Sequence, residues 1–211
     1  MKLVRPAVAL CAGVLLLLAG SSSAAPKKPV PKPVCNLLSD DPADSGLLGP
    51  DADDNQEILG GDLATDLKNV TAVLTLAKAP GVDPISPSGL AYYVSFTVPG
   101  TDHPVYLGAQ MSPTGALTWT AGTVTSDGTS TSYSPNAAVP VRGTVRGTSL
   151  VISADLKAFA ALAPIKKGVR ITGLTGETFG VLVVALTPFG SDIAEDSKPY
   201  LAGTPSCVKP A

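Results

Sequence analysis

"GLAYYVSFTVPG" (89–100) decides the fold. Leu90, Tyr92, Val94, Phe96 and Val98 alternate with Ala91, Tyr93, Ser95 and Thr97. Side chains of an extended chain point to opposite sides in turn, so five large apolar residues share one face. A helix would scatter the same residues around its circumference. Gly89 on one side and Pro99-Gly100 on the other supply turn chemistry, so the segment reads as one strand with a buried face.

The same pattern extends outward. "EILGGDLATD" (57–66) and "NVTAVLTLAK" (69–78) alternate around a turn at 66–69, and "PVYLGAQMS" (104–112) and "GALTWTAGTVT" (115–125) form the next hairpin. "SDGTSTSYSPN" (126–136) is polar and reads as a loop. "VPVRGTVRG" (139–147) and "TSLVISAD" (148–155) pair across Gly147, and "GVRITGLTGE" (168–177) and "GVLVVALTPF" (180–189) close the series. "DLKAFAALA" (155–163) is the one helical segment, opened by Asp155 as N-cap and stopped before Pro164. Many short strands rich in Thr, Val and Gly with a single short helix predict an all-β fold, an antiparallel β-sandwich of immunoglobulin-like or jelly-roll type.

The first residues predict export. Lys2 and Arg5 precede an apolar run from Ala7 to Gly20, too short to span a bilayer, and "SSSAAP" (21–26) follows with small residues suited to cleavage after Ala24. Residues 1–24 are thus read as a signal peptide, and Cys11 leaves with it. "APKKPVPKPV" (25–34) opens a Pro/Lys-rich arm over 25–39, extended because its prolines forbid helix. Residues 40–211 are read as one sandwich domain. Without Lys2 and Arg5, 13 basic residues face 17 acidic ones, a net charge near −4 that gives no general attraction for nucleic acid or anionic lipid. The apolar run at 179–189 has strand length, so no membrane span is expected. The remaining cysteines, Cys35 and Cys207, are an even pair in an oxidising compartment, and a disulfide between them is expected over two free thiols.

The strands carry a resemblance. "DDPAD" (40–44), "EILGGDLATDLKNVTAVLTLAKAP" (57–80) and "GLAYYVSFTVPG" resemble a domain common in secreted actinobacterial proteins, found alone or appended to subtilisin-like secreted proteases. That family has an acidic opening, an alternating strand, an "N-[LV]-T" strand and a "YYV-x-F" strand. The likeness extends through "GTVRGTSLVISAD", "ITGLTGETFG" and "SDIAEDSKPY". It implies the sandwich fold and exterior location, and no activity is settled for the family. Asp41-Pro42-Ala43-Asp44 is one residue tighter than the family's opening, which places glycine before its second aspartate.

Candidate chemistry is sparse. His103 is the one histidine and sits in a turn beside Asp102, with no G-x-S-x-G elbow to serve. It reads as a surface residue, and no catalytic residue is assigned. Residues 40–57 hold seven carboxylates in eighteen positions without a lysine or arginine. A disulfide from Cys35 to Cys207 would bring them near the late acidic run 191–196. Calcium takes six to eight oxygens from such a loop, so a calcium site formed by Asp41, Asp44, Asp192 and Asp196 is one expectation, with a merely solvated acidic loop as the other. Sugar recognition by a sandwich needs exposed aromatic rings, for which Trp119, Tyr93, Tyr106 and Tyr133 are the candidates. The expected function is a secreted, non-catalytic binding or accessory protein, with a protein or glycan of the cell exterior as partner. The alternatives are a glycan-binding module and a small secreted hydrolase.

Overall fold

The structure is a computed structural model that describes residues 32–40, 55–66, 68–82, 88–128, 130–181 and 188–208. The expected signal peptide lies outside the described residues. The strands are β1 (Leu38–Ser39), β2 (Ile58–Thr65), β3 (Asn69–Leu76), β4 (Leu90–Thr97), β5 (Val105–Met111), β6 (Leu117–Ser126) and β7 (Thr131–Pro135). They continue as β8 (Val141–Arg146), β9 (Ser149–Asp155), β10 (Arg170–Val181), β11 (Pro188–Ala194), β12 (Asp196–Ser197) and β13 (Tyr200–Leu201), and among the described residues one helix, α1 (Leu156–Phe159), follows β9.

Two antiparallel sheets result. One runs in the order β12-β1-β2-β3-β9-β8, the other β11-β10-β4-β5-β6-β7, and β13 pairs with the start of β10. Inner-face residues of both sheets form one core, with Leu63, Leu74 and Ile152 from the first meeting Tyr92, Val94, Phe96 and Leu107 from the second. All-β sandwich architecture is therefore the fold, and the face of β4 expected to be apolar, Leu90 to Val98, lies in that core.

The margins depart from expectation. Residues 131–135, read as loop, are β7, registered on β6 from Gly122↔Pro135 to Ser126↔Thr131. Its residues are polar because it is an edge strand with little apolar surface to bury, which removes the usual pattern. The expected strands 168–177 and 180–189 are not separated at 178–179, since β10 runs unbroken for twelve residues to Val181, and residues 182–187 lie outside the described ones. Only one turn of 155–163 is helix. Asp155 caps it by accepting from the backbone N–H of Lys157 and Ala158, while Ala160–Leu162 continue as turns and Ala163 precedes Pro164, which disfavours helix in the residue before it. The folded part also reaches into the arm, where Leu37 and Leu38 are each 1% exposed and β1 pairs with both β2 and β12.

The N- and C-terminal segments are joined covalently and by backbone. Cys35 and Cys207 form a disulfide with their Cα atoms 5.3 Å apart. Val34 bridges Ser206 in parallel, and Leu37 N–H donates to the Asp62 carboxylate at 3.0 Å. β1 reaches β2 at Gly60-Gly61, where the register shifts and Gly60 takes φ +147. A Cβ there would lie 2.8 Å from Leu38 O, so only glycine lets the short strand close in.

Candidate functional site

The four aromatic candidates divide between two places. Register puts Tyr93, Tyr106, Tyr133 and Phe179 together on the outer face of the second sheet, because Tyr93 pairs with Glu177 and Gly108, Phe179 with Ala91, and Tyr133 with Val124. Tyr93 and Tyr133 stack with centroids 4.0 Å apart, and Tyr106 meets both edge-on at 5.0 and 5.2 Å. Ala91 and Val124 complete a second, smaller apolar cluster.

This cluster corrects an expectation. Tyr93 and Tyr106 are only 3% and 1% exposed, so neither ring face is open to a sugar. The reason lies in the facing glycines. A Cβ on Gly108 would fall 2.2 Å from the Tyr93 ring and one on Gly122 would fall 2.8 Å from the Tyr106 ring, so each tyrosine lies flat across a position with no side chain. Alternation puts Tyr92 and Tyr93 on opposite faces of β4, yet neither meets solvent.

Burial dominates the chemistry here. It pushes the Tyr106 hydroxyl up to about 12 and raises those of Tyr93 and Tyr133. Gln110 Nε2 donates to the Tyr93 hydroxyl at 2.8 Å. The Tyr133 hydroxyl is buried without a hydrogen bond of ordinary geometry, yet Glu177 is close enough for each group to shift the other. Burial also raises the Glu177 carboxyl, and the charge of Glu195 adds to the effect. The cluster keeps its phenols protonated and its carboxylate uncomfortable. It serves to hold β4, β5, β7 and β10 together.

Trp119 sits elsewhere. It faces inward from β6, is half-buried against the main core, and covers Gly143 on β8, where a Cβ would lie 2.3–2.5 Å from three atoms of the indole. Beside it a groove of about 390 Å³ opens, lined by Trp119, Thr120, Pro135, Asn136, Val139 and Pro140 among others. Its wall is the crossing from β7 to β8, held by Asn136 N–H donating to Ala121 O at 2.8 Å and by Val139 N–H donating to Asn136 O at 3.1 Å. Asn136 Oδ1 accepts from Ala138 N–H at 3.0 Å. Its Nδ2 and the Trp119 indole N–H make no hydrogen bond with the described residues. Sequence reasoning singled out Trp119 but missed Asn136 and Gly143, whose places depend on how the sheets meet.

The calcium candidates are not gathered among the described residues. Asp41 and Asp44 lie outside those residues. Asp192 is 2% exposed within β11, where its carboxylate accepts from Ile58 N–H and its own N–H donates to Thr178 Oγ1 at 3.3 Å. Asp196 is exposed in β12, which belongs to the other sheet. The run 191–196 is therefore divided between the end of β11 and the start of β12, with Glu195 between them. Among the described residues no three His, Cys, Asp or Glu side chains converge on a point where a metal ion would sit. His103 and Asp102 are exposed in the turn between β4 and β5.

No family model matches the chain, and no curated protein matches it. Among solved structures it is similar to a presumed carbohydrate-binding protein from Bacteroides uniformis, at 11% identity and a TM-score of 0.32 over 72% of this chain and 77% of that one. At so low a TM-score neither fold nor ligand transfers. Among the described residues no helix is long and apolar enough to cross a membrane.

Proposed function

We propose that the protein is a secreted, non-catalytic binding protein that takes a glycan in the Trp119 groove. The observation that carries the reading is that Trp119 retains exposure and lines a groove, whereas Tyr93 and Tyr106 are buried. A pyranose offers an apolar C–H face and a rim of hydroxyls. The indole face suits the first, while the Asn136 amide and the indole N–H suit the second. Proline at 135 and 140 stiffens the far wall, so little ordering would be needed on binding. The groove is small, which favours one or two sugar units as the recognised element.

The reading is tested by calorimetric titration of a panel of soluble oligosaccharides into the wild type and Trp119→Ala. Saturable one-to-one binding that weakens by about tenfold or more in the variant is expected, the equivalent of about 1.4 kcal/mol of lost stacking. A glycan bound equally by both proteins, or no glycan bound at millimolar concentration, would overturn it.

A further inference from the structure

A second concavity lies away from the Trp119 groove, where the C-terminal segment crosses the end of the first sheet. It is a cleft of about 720 Å³, within the range of small-molecule sites. Leu156, Ile165 and Val208 give it a mostly apolar lining, and Lys166 and Lys167 stand exposed at its rim. We propose that this cleft binds a small amphipathic carboxylate, an apolar chain or ring carrying one anionic head.

Charge selects the head. Neither lysine forms an ion pair with a described residue. Asp66, the one acid among the described lining residues, gives its Oδ1 to the backbone N–H groups of Lys68 and Asn69, both at 2.6 Å. Two cations thus stand over an apolar cleft whose carboxylate is occupied by its own turn. A neutral ligand would leave them unused. A compact inorganic anion would leave the apolar lining wet.

The walls are built before any ligand arrives. Gly168 N–H donates to Ala202 O and Ala202 N–H to Val169 O, each at 2.8 Å, which ties the lysine turn to the C-terminal segment. The methylene stem of Lys167 runs over Gly203, whose N–H donates to Thr65 Oγ1 at 2.7 Å. The Tyr200 hydroxyl accepts from Thr65 N–H at 3.0 Å and donates to Thr204 O at 3.1 Å, and the Cys35–Cys207 disulfide closes the segment just beyond. A site fixed this way loses little entropy on filling.

The test uses 8-anilinonaphthalene-1-sulfonate, itself an amphipathic anion, as fluorescent probe, with decanoate, decanol and decyltrimethylammonium as competitors. The full chain and Lys166→Gln/Lys167→Gln are compared, two exposed positions whose change leaves the fold intact, as a thermal melt would verify. Decanoate is expected to displace the probe about tenfold more effectively than decanol, and decyltrimethylammonium least of all. The double variant should lose about tenfold for decanoate and none for decanol, while Trp119→Ala changes neither. Failure of the probe to bind, equal displacement by decanoate and decanol, or an unchanged decanoate affinity in the double variant would each overturn the proposal. None of these results bears on glycan binding at Trp119.

Discussion

Gly143→Ala is a small change aimed at the posture of Trp119. A Cβ at position 143 would stand 2.3 Å from Cε3 and 2.5 Å from both Cδ2 and Cζ3 of the indole. Carbon atoms rest at about 3.5–4.0 Å, so the ring or the edge strand must move by roughly 1 Å. Gly143 does not have a positive φ, so alanine meets no backbone penalty there. The cost is one of overpacking, about 1–3 kcal/mol. For a domain of this size each kcal/mol lowers the melting temperature by about 2–4 °C, giving a fall of roughly 2–12 °C. Thermal unfolding followed by circular dichroism measures it. The emission of Trp119, the chain's one tryptophan, reports whether the ring has moved. The coupling can be isolated by repeating the change in a Trp119→Val background, where the clash is gone and Gly143→Ala should cost little. An unchanged melt and emission spectrum, or an equal loss in both backgrounds, would refute the packing of indole on glycine.

Glu177→Gln tests the buried carboxyl of the tyrosine cluster. Its folded value is raised by burial, so as pH climbs above the ordinary glutamate range of about 4.3 the unfolded chain releases this proton first and the native state loses stability until the folded value is passed. Melts from pH 4 to 8 should show the variant gaining on the wild type as pH rises, and a constant offset would contradict the burial argument. Thr71→Val strands the Ser153 hydroxyl, its 2.9 Å partner in the first sheet, and should cost about 1–3 kcal/mol in a denaturant titration. Adding Ser153→Ala should recover most of that, and no recovery would show that the pair is not what the threonine supplies. The disulfide links residues 172 apart, and in the chain-entropy model its removal by Cys35→Ser/Cys207→Ser costs about 5 kcal/mol. A double variant as stable as the wild type would show that the crosslink adds nothing to the fold.

Period-two patterning made the strands legible, and most clearly in β4, where each apolar residue of the expected face lies in the core. Asp155 was legible as a cap because capping depends on two or three neighbouring residues. Cys35 and Cys207 were legible as a pair because no other cysteine follows the expected cleavage point. What could not be read is what register decides. Nothing local to "AYYVSF" says that Gly108 and Gly122 will stand across from tyrosines and let both rings lie down and close over each other. Nor does "SDIAED" announce that Asp192 turns inward to hold Ile58, since a buried carboxylate in a polar run follows no periodic rule. Edge strand β7 was missed for the opposite reason, because it buries too little to leave a pattern. Trp119 was found as a candidate, but the groove beside it depends on the approach of β8 and on the turn at Asn136, neither of which is local to the tryptophan.

The central claim is that a glycan binds against Trp119. The most direct measurement is the intrinsic tryptophan emission of the wild-type protein, titrated with the oligosaccharide that binds best by calorimetry. Because the chain holds a single tryptophan, a sugar seated on the indole must change that emission. The account predicts a saturable shift whose midpoint equals the calorimetric Kd. Calorimetric binding accompanied by unaltered emission would place the sugar elsewhere and contradict it.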